Sequence, residues 1–102
     1  MKLNKKDEKW AIIFEEADGH PAKVREITMR LASLIERCKL EKPPALDIDM
    51  NPLHHVNSEF IALLVNAHNT LDGKVRLLSV QKEVKDLFAI IQIDQLLTIV
   101  DA

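Results

Sequence analysis

A chain of 102 residues is the size of one domain, and 47% hydrophobic with 29% charged residues is a globular rather than a disordered composition. A formal net charge of −2 gives no electrostatic pull toward nucleic acid, so that partner class is not expected. The longest apolar run, Phe60 to Val65, falls far short of the roughly 20 residues of a spanning helix, and MKLNKKDEK has no apolar signal-peptide core, so a single cytoplasmic domain over 1–102 without membrane insertion is expected.

Taken in chain order, Trp10-Ala-Ile-Ile-Phe14 is a short aromatic and β-branched run that predicts a strand over about 9–15. An earlier strand within 2–6 would pair with it through a turn at Asp7-Glu8, and Lys2, Lys5, Lys6 and Lys9 read as a solvated edge. Asp18-Gly19-His20-Pro21 predicts a turn that starts a helix, because proline at the first helical position loses no needed N–H. Val24, Ile27, Leu31, Leu34, Ile35 and Cys38 then form one apolar stripe over about 21–39. Cys38 is the single cysteine, so it makes no internal disulfide and is expected in the core. Lys42-Pro43-Pro44 ends the helix, since the residue before a proline is pushed out of the right-handed helical region.

Ala45-Leu-Asp-Ile-Asp-Met50 alternates strictly, placing Leu46, Ile48 and Met50 on one side and Asp47 and Asp49 on the other. A strand covered on both faces would be apolar throughout, so helices are expected mainly on one side of the sheet, or a strand end that reaches solvent. After the Asn51-Pro52 turn a second helix is predicted over about 58–71, with Phe60, Leu63, Leu64, Ala67 and Leu71 inward. Beside that stripe Ile61, Val65 and His68 form another, which is either wedged between neighbours or turned to a partner. Asp72-Gly73 closes the helix with a left-handed cap, and Val75–Val80 resumes as a strand. A third helix over about 82–91, carried by Val84, Leu87, Phe88 and Ile91, and a last strand at Leu97–Val100 complete the order. The alternation predicts an α/β domain of four to five strands in a mixed sheet with neighbouring parallel strands and three to four helices.

The chemistry concentrates in His54, His55, Asn57, Ser58 and Glu59, directly ahead of the most apolar helix. Asn57 and Ser58 are both favoured helix caps, which accounts for their presence without any function. A helix N-terminus also tolerates phosphate, and a phosphoserine adding roughly −1.5 to −2 charge at the rim of an apolar contact would eject a partner. Adjacent histidines on an extended segment point in opposite directions, so His54 and His55 do not share a metal. With no Gly-x-Ser-x-Gly elbow, and Gly19 and Gly73 as the only glycines, neither hydrolase triad nor phosphate loop is expected. Catalytic residues, metal and cofactor are accordingly all expected to be none, and a small enzyme would have to rely on His54 or His55.

The stretch LDIDMNPLHHVNSEFIALLVNAHNTLDGKVRLLSV resembles the centre of a STAS domain, the fold of anti-sigma-factor antagonists and of cytosolic domains on anion transporters. There an apolar strand ending in an acid leads to Asp-Ser-x-Gly-Leu opening a helix, then to Gly and another strand. Laid on without gaps, the acid falls on Asp49, Asp-Ser on Asn57-Ser58 and the later glycine on Gly73, while Phe60 replaces the motif glycine. The following VQKEVKDLFAIIQIDQLLTIV is similar to the family's last helix and strand, so the resemblance spans 46–100. It implies a STAS-like fold and a bacterial signalling protein in transcription regulation, in which a serine kinase acting as anti-sigma factor phosphorylates Ser58. On that basis Asp49, His55, Asn57, Ser58, Glu59, Ile61, Ala62 and Val65 are the expected partner-binding residues. The alternative it implies is a non-phosphorylated adaptor subunit of a transport or signalling complex.

Overall fold

The computed structural model describes residues 1–6 and 9–100, and the expected Asp7-Glu8 turn lies outside the described residues. A five-stranded sheet runs in sequence order, β1 (Lys2–Lys6), β2 (Lys9–Ile13), β3 (Leu46–Asp49), β4 (Val75–Leu78) and β5 (Thr98–Val100). β1 pairs antiparallel with β2, and every later pair is parallel. Helix α1 (Val24–Glu41) links β2 to β3, α2 (Ser58–Thr70) links β3 to β4 and α3 (Lys82–Ile90) links β4 to β5. Crossovers of one hand that always step to the next strand in the same direction leave their helices on the same face.

The burial pattern has that asymmetry. Trp10, Ile12, Leu46, Ile48, Val75 and Leu77 are buried beneath Ile27, Leu31, Ile35, Leu64, Val84 and Phe88 of the helices. The alternate strand positions, Ala11, Ile13, Asp49, Arg76 and Leu78, are only half-buried. The expected one-sided arrangement of helices is therefore the observed one. Cys38 lies in the core at 1% exposure, where burial pushes its thiol pKa up.

Both ends of α1 carry detail beyond the expected start and stop. The Pro21 start is a short 3-10 turn, Pro21–Lys23, before the α-helix proper, and a second such turn spans Glu16–Gly19. At the other end of α1, Lys42 leaves the right-handed helical region before Pro43 as expected, into the left-handed one (φ 48°), and its N–H still reaches the Cys38 carbonyl at 2.8 Å. Gly73 sits at φ +77° as a left-handed cap, with its N–H on the His68 carbonyl. Gly19 has a different reason: a Cβ there would meet the Pro52 carbonyl at 2.0 Å. The loops that follow β2 and β3 thus touch at the carboxyl ends of the strands, where an α/β sheet collects its functional loops.

Candidate functional site

The first turn of α2 is built by Asn57. Its backbone is extended (φ −106°, ψ 174°), and its side-chain oxygen accepts the Phe60 N–H at 2.7 Å. The Thr28 hydroxyl of α1 lies 3.5 Å from that same oxygen and donates to the Val24 carbonyl at 2.6 Å. Asn57 thus performs the cap that the motif acid would perform, without its charge. Phe60, at the motif glycine position, is fully buried, its ring tilted against Phe14 with centroids 6.0 Å apart. Its bulk fills the core and leaves the outer surface of the turn clear.

Ser58 is left over by this arrangement. It occupies the first helical position, is exposed, and its hydroxyl has no hydrogen-bond partner among the described residues. The N–H groups of Ser58 and Glu59 are likewise uncommitted, because the Asn57 side chain takes the Phe60 N–H and its carbonyl takes the Ile61 N–H at 3.1 Å.

Two shallow apolar grooves adjoin the tip. One, of about 310 Å³, runs between α1 and α2 along Thr28, Met29, Ala32, Glu59, Ala62 and Leu63. The other, of about 490 Å³, lies between the loop His54–Val56 and α3, lined by Val84, Leu87 and Ile90 among others. Residues 57 and 58 connect the segments that line the two. His54 anchors the second groove, its Nδ1 2.8 Å from a Glu83 carboxylate oxygen, and that contact holds the Glu83 pKa below the usual carboxylate range, helped by the Glu83 backbone N–H. The Gln81 side chain donates to the Asn51 carbonyl, so the same loop is tied to α3 twice.

The expected partner-binding residues divide. His55, Asn57, Ser58, Glu59 and Ala62 gather at this tip, and Val65 continues half-buried along the helix. Ile61 is a correction: it is 9% exposed and belongs to the core. The buried arc of α2 is Phe60, Ile61, Leu64 and Ala67, continued by Leu71 at its C-terminal cap, while Leu63 faces the α1 groove. Asp49 is a second correction. Its side chain lies on the opposite, helix-free face of the sheet, where its carboxylate accepts the Asn51 N–H at 3.0 Å. Met29 and Ile90, 68% and 76% exposed, were not anticipated as site residues. Their signal in the sequence is that each is an apolar residue out of phase with its own helix stripe. Ile91, expected inward on α3, is 44% exposed because the helix ends at Ile90.

Among the described residues no group of three or more His, Cys, Asp or Glu is placed to hold a metal, and no helix is long and apolar enough to cross a membrane. A family model described as STAS domain matches residues 21–102. No curated protein matches the chain. Among solved structures, an anti-sigma-factor antagonist (STAS) domain protein from Planctomyces limnophilus superposes with a TM-score of 0.77 at 17% identity, covering 99% of this chain and 89% of that one. A Thermotoga maritima protein assigned as an anti-sigma factor antagonist gives 0.71 at 10% identity, covering 99% and 86%. At these identities the likeness is one of fold.

Proposed function

The chain belongs to the STAS domain family, and on that premise we propose that it is a non-enzymatic regulatory module that docks a partner protein through the tip of α2. The partner is a serine kinase acting as anti-sigma factor, and the switch is phosphorylation of Ser58 in the cytoplasm. One observation carries the reading: Ser58 is exposed and its hydroxyl is unbonded among the described residues, Asn57 having capped the helix. A phosphate on Ser58 would meet the uncommitted N–H groups of the first turn and the positive end of the helix dipole, so the fold tolerates it. What changes is the surface. The added charge lies between the Met29 and Ile90 grooves, next to Glu59, and a partner that seals those grooves would have to desolvate it.

The test is incubation of the protein with its cognate serine kinase and ATP, followed by phosphosite mapping. Label on Ser58 and none on Ser58→Ala is the expected result; a Ser58→Ala protein that is still labelled refutes the assignment. The exposed apolar side chains Met29 and Ile90 also suit a partner that never phosphorylates the chain, as in an adaptor subunit of a transport or signalling complex. Equal partner affinity for the wild type, Ser58→Ala and Ser58→Asp would select that reading.

A further inference from the structure

The side of the sheet away from the helices carries a surface that the α2 tip does not explain. Parallel strands are almost always covered on both faces, yet among the described residues every helix packs on one. Register fixes what the bare face presents. One row across the strands is Asn4, Ala11, Asp47, Arg76 and Thr98, and the next is Lys2, Ile13, Asp49, Leu78 and Val100, with Lys6 and Lys9 beyond. Ile13 and Leu78 are half-buried and Val100 is 36% exposed, and a hollow of about 300 Å³ has Ala11, Ile13 and Leu78 on its floor with Asn4, Lys6, Lys9, Asp47 and Asp49 around it.

Charge on this face is organised around Asp47, whose side chain is 4% exposed. Arg76 grips it side-on, Nε to Oδ1 at 2.9 Å and Nη2 to Oδ2 at 3.0 Å, and the Lys9 ammonium reaches Oδ2 at 2.7 Å. Both cations are thereby held in place while 43% and 53% exposed, with N–H donors still directed away from Asp47. Lys2, Lys6, Lys9 and Arg76 against Asp47 and Asp49 leave the described face with a surplus of two positive charges, in a chain whose net charge is −2. Lysines on an edge strand can serve only to block strand pairing, but that accounts for neither the apolar floor nor the cations ordered on the central strands.

We propose that this face is a second docking surface, built for an amphipathic helix of a partner protein whose flanks carry Asp or Glu. Its apolar stripe lies along Leu78 and Val100 and reaches Ile13 past Asp49, whose carboxylate is turned to the Asn51 N–H, and its own carboxylates meet Lys2, Lys6 and the ordered Lys9–Arg76 pair. A second copy placed face to face would set two positive surfaces against each other, so the occupant is acidic.

The test is titration of the ¹⁵N-labelled chain with a synthetic helical peptide carrying Leu at every third or fourth position and Glu on both flanks, against its Lys-flanked counterpart. The Glu peptide should move the amides of Ala11, Ile13, Arg76 and Leu78 while the Lys peptide does not. Lys2→Glu with Lys6→Glu, both at exposed positions, should weaken binding by about fivefold or more with the amide dispersion of the fold retained. Equal response to the two peptides, shifts confined to α2 and α3, no response, or concentration-dependent broadening of these amides without peptide would overturn the proposal.

Discussion

Asp47 and Ser58 lie eleven positions apart in the chain and are treated in opposite ways. Asp47, in mid-strand, has its carboxylate 4% exposed and closed in by Arg76 and Lys9. Ser58, at the start of a helix, is exposed with its hydroxyl unbonded among the described residues, because its neighbour Asn57 has met the needs of the turn. A polar group whose hydrogen bonds are made within the chain contributes to stability, and its loss is felt there. One that the fold leaves unused can be changed at small structural cost, which is what a switch requires. The contrast can be broken by four measurements.

The largest effect belongs to Asp47→Ala. Hydrogen bonds to charged groups contribute about 1.5–3 kcal/mol. Because Arg76 and Lys9 can turn to water, the loss should stay below the 3–5 kcal/mol typical of a fully buried pair. For a domain of this size that is a fall of roughly 10 °C in Tm, read by circular dichroism, and a change of under about 2 °C would show the network to be ornamental.

The second measurement is acid unfolding. Burial alone would raise the Asp47 pKa, but the hydrogen bonds from Arg76 and Lys9 outweigh it and hold the carboxyl below its ordinary value of 3.8. The unfolded chain therefore takes up the proton first as pH falls, so the Asp47 contribution is complete above about pH 4 and is lost below it as the folded carboxyl protonates. Asp47→Asn should flatten that part of the stability profile without abolishing it. Asp18, held down against its own burial by the N-terminal ammonium and the Glu15 N–H, and Glu83, held down by His54, titrate in the same sense. An unaltered acid limb in Asp47→Asn would remove Asp47 from the account.

How much of this was legible beforehand follows from the range of each interaction. The alternation of 45–50 placed Asp47 and Asp49 on the poorly covered face, and the observed sheet agrees. What alternation could not convey is that Asp47 would be sealed, since its partners are 29 residues later and on β2, and only register unites them. On α2 the spacing predicts Phe60, Leu64, Ala67 and Leu71 inward, and they are buried, but it leaves open which flank of that stripe is sealed. Helical periodicity gives the width of an apolar arc but not which edge of it is sealed: Ile61 is buried with the core, while Leu63, half-buried against it, lines the groove beside α1. Residue type allows either Asn57 or Ser58 as the cap, and the extended backbone of Asn57 selects it. Asp49 matched a motif by spacing, yet spacing along a strand says nothing about the face on which its neighbours in the motif will lie.

Asn57 supplies the third, smaller test. Asn57→Ala removes the acceptor for the Phe60 N–H and should cost about 1 kcal/mol. Asn57→Asp keeps the acceptor, restores the motif acid and places a negative charge at the helix N-terminus, so it should be neutral or stabilising by a few tenths to about 1 kcal/mol at neutral pH. Equal losses in both variants would mean that Thr28 and the packing around the turn, rather than the cap, hold the tip.

The smallest structural effect is expected at Ser58, and there the comparison with Asp47 is sharpest. Ser58→Ala removes a hydroxyl that bonds to nothing among the described residues, so stability should change by less than about 0.5 kcal/mol. Ser58→Asp adds a charge where the helix dipole and free N–H groups favour it, so it too should fold normally and gain a few tenths of a kcal/mol, about 0.3–1. Against a partner that covers the Met29 and Ile90 grooves the two should part company: Ser58→Ala binds as the wild type does, and Ser58→Asp binds about tenfold or more weakly, since a carboxylate desolvated without a partner costs more than about 1.4 kcal/mol. Isothermal titration with the kinase separates the outcomes. A Ser58→Ala protein that loses more than about 1 kcal/mol of stability would show the hydroxyl to be structural after all, collapsing the distinction between the two sites.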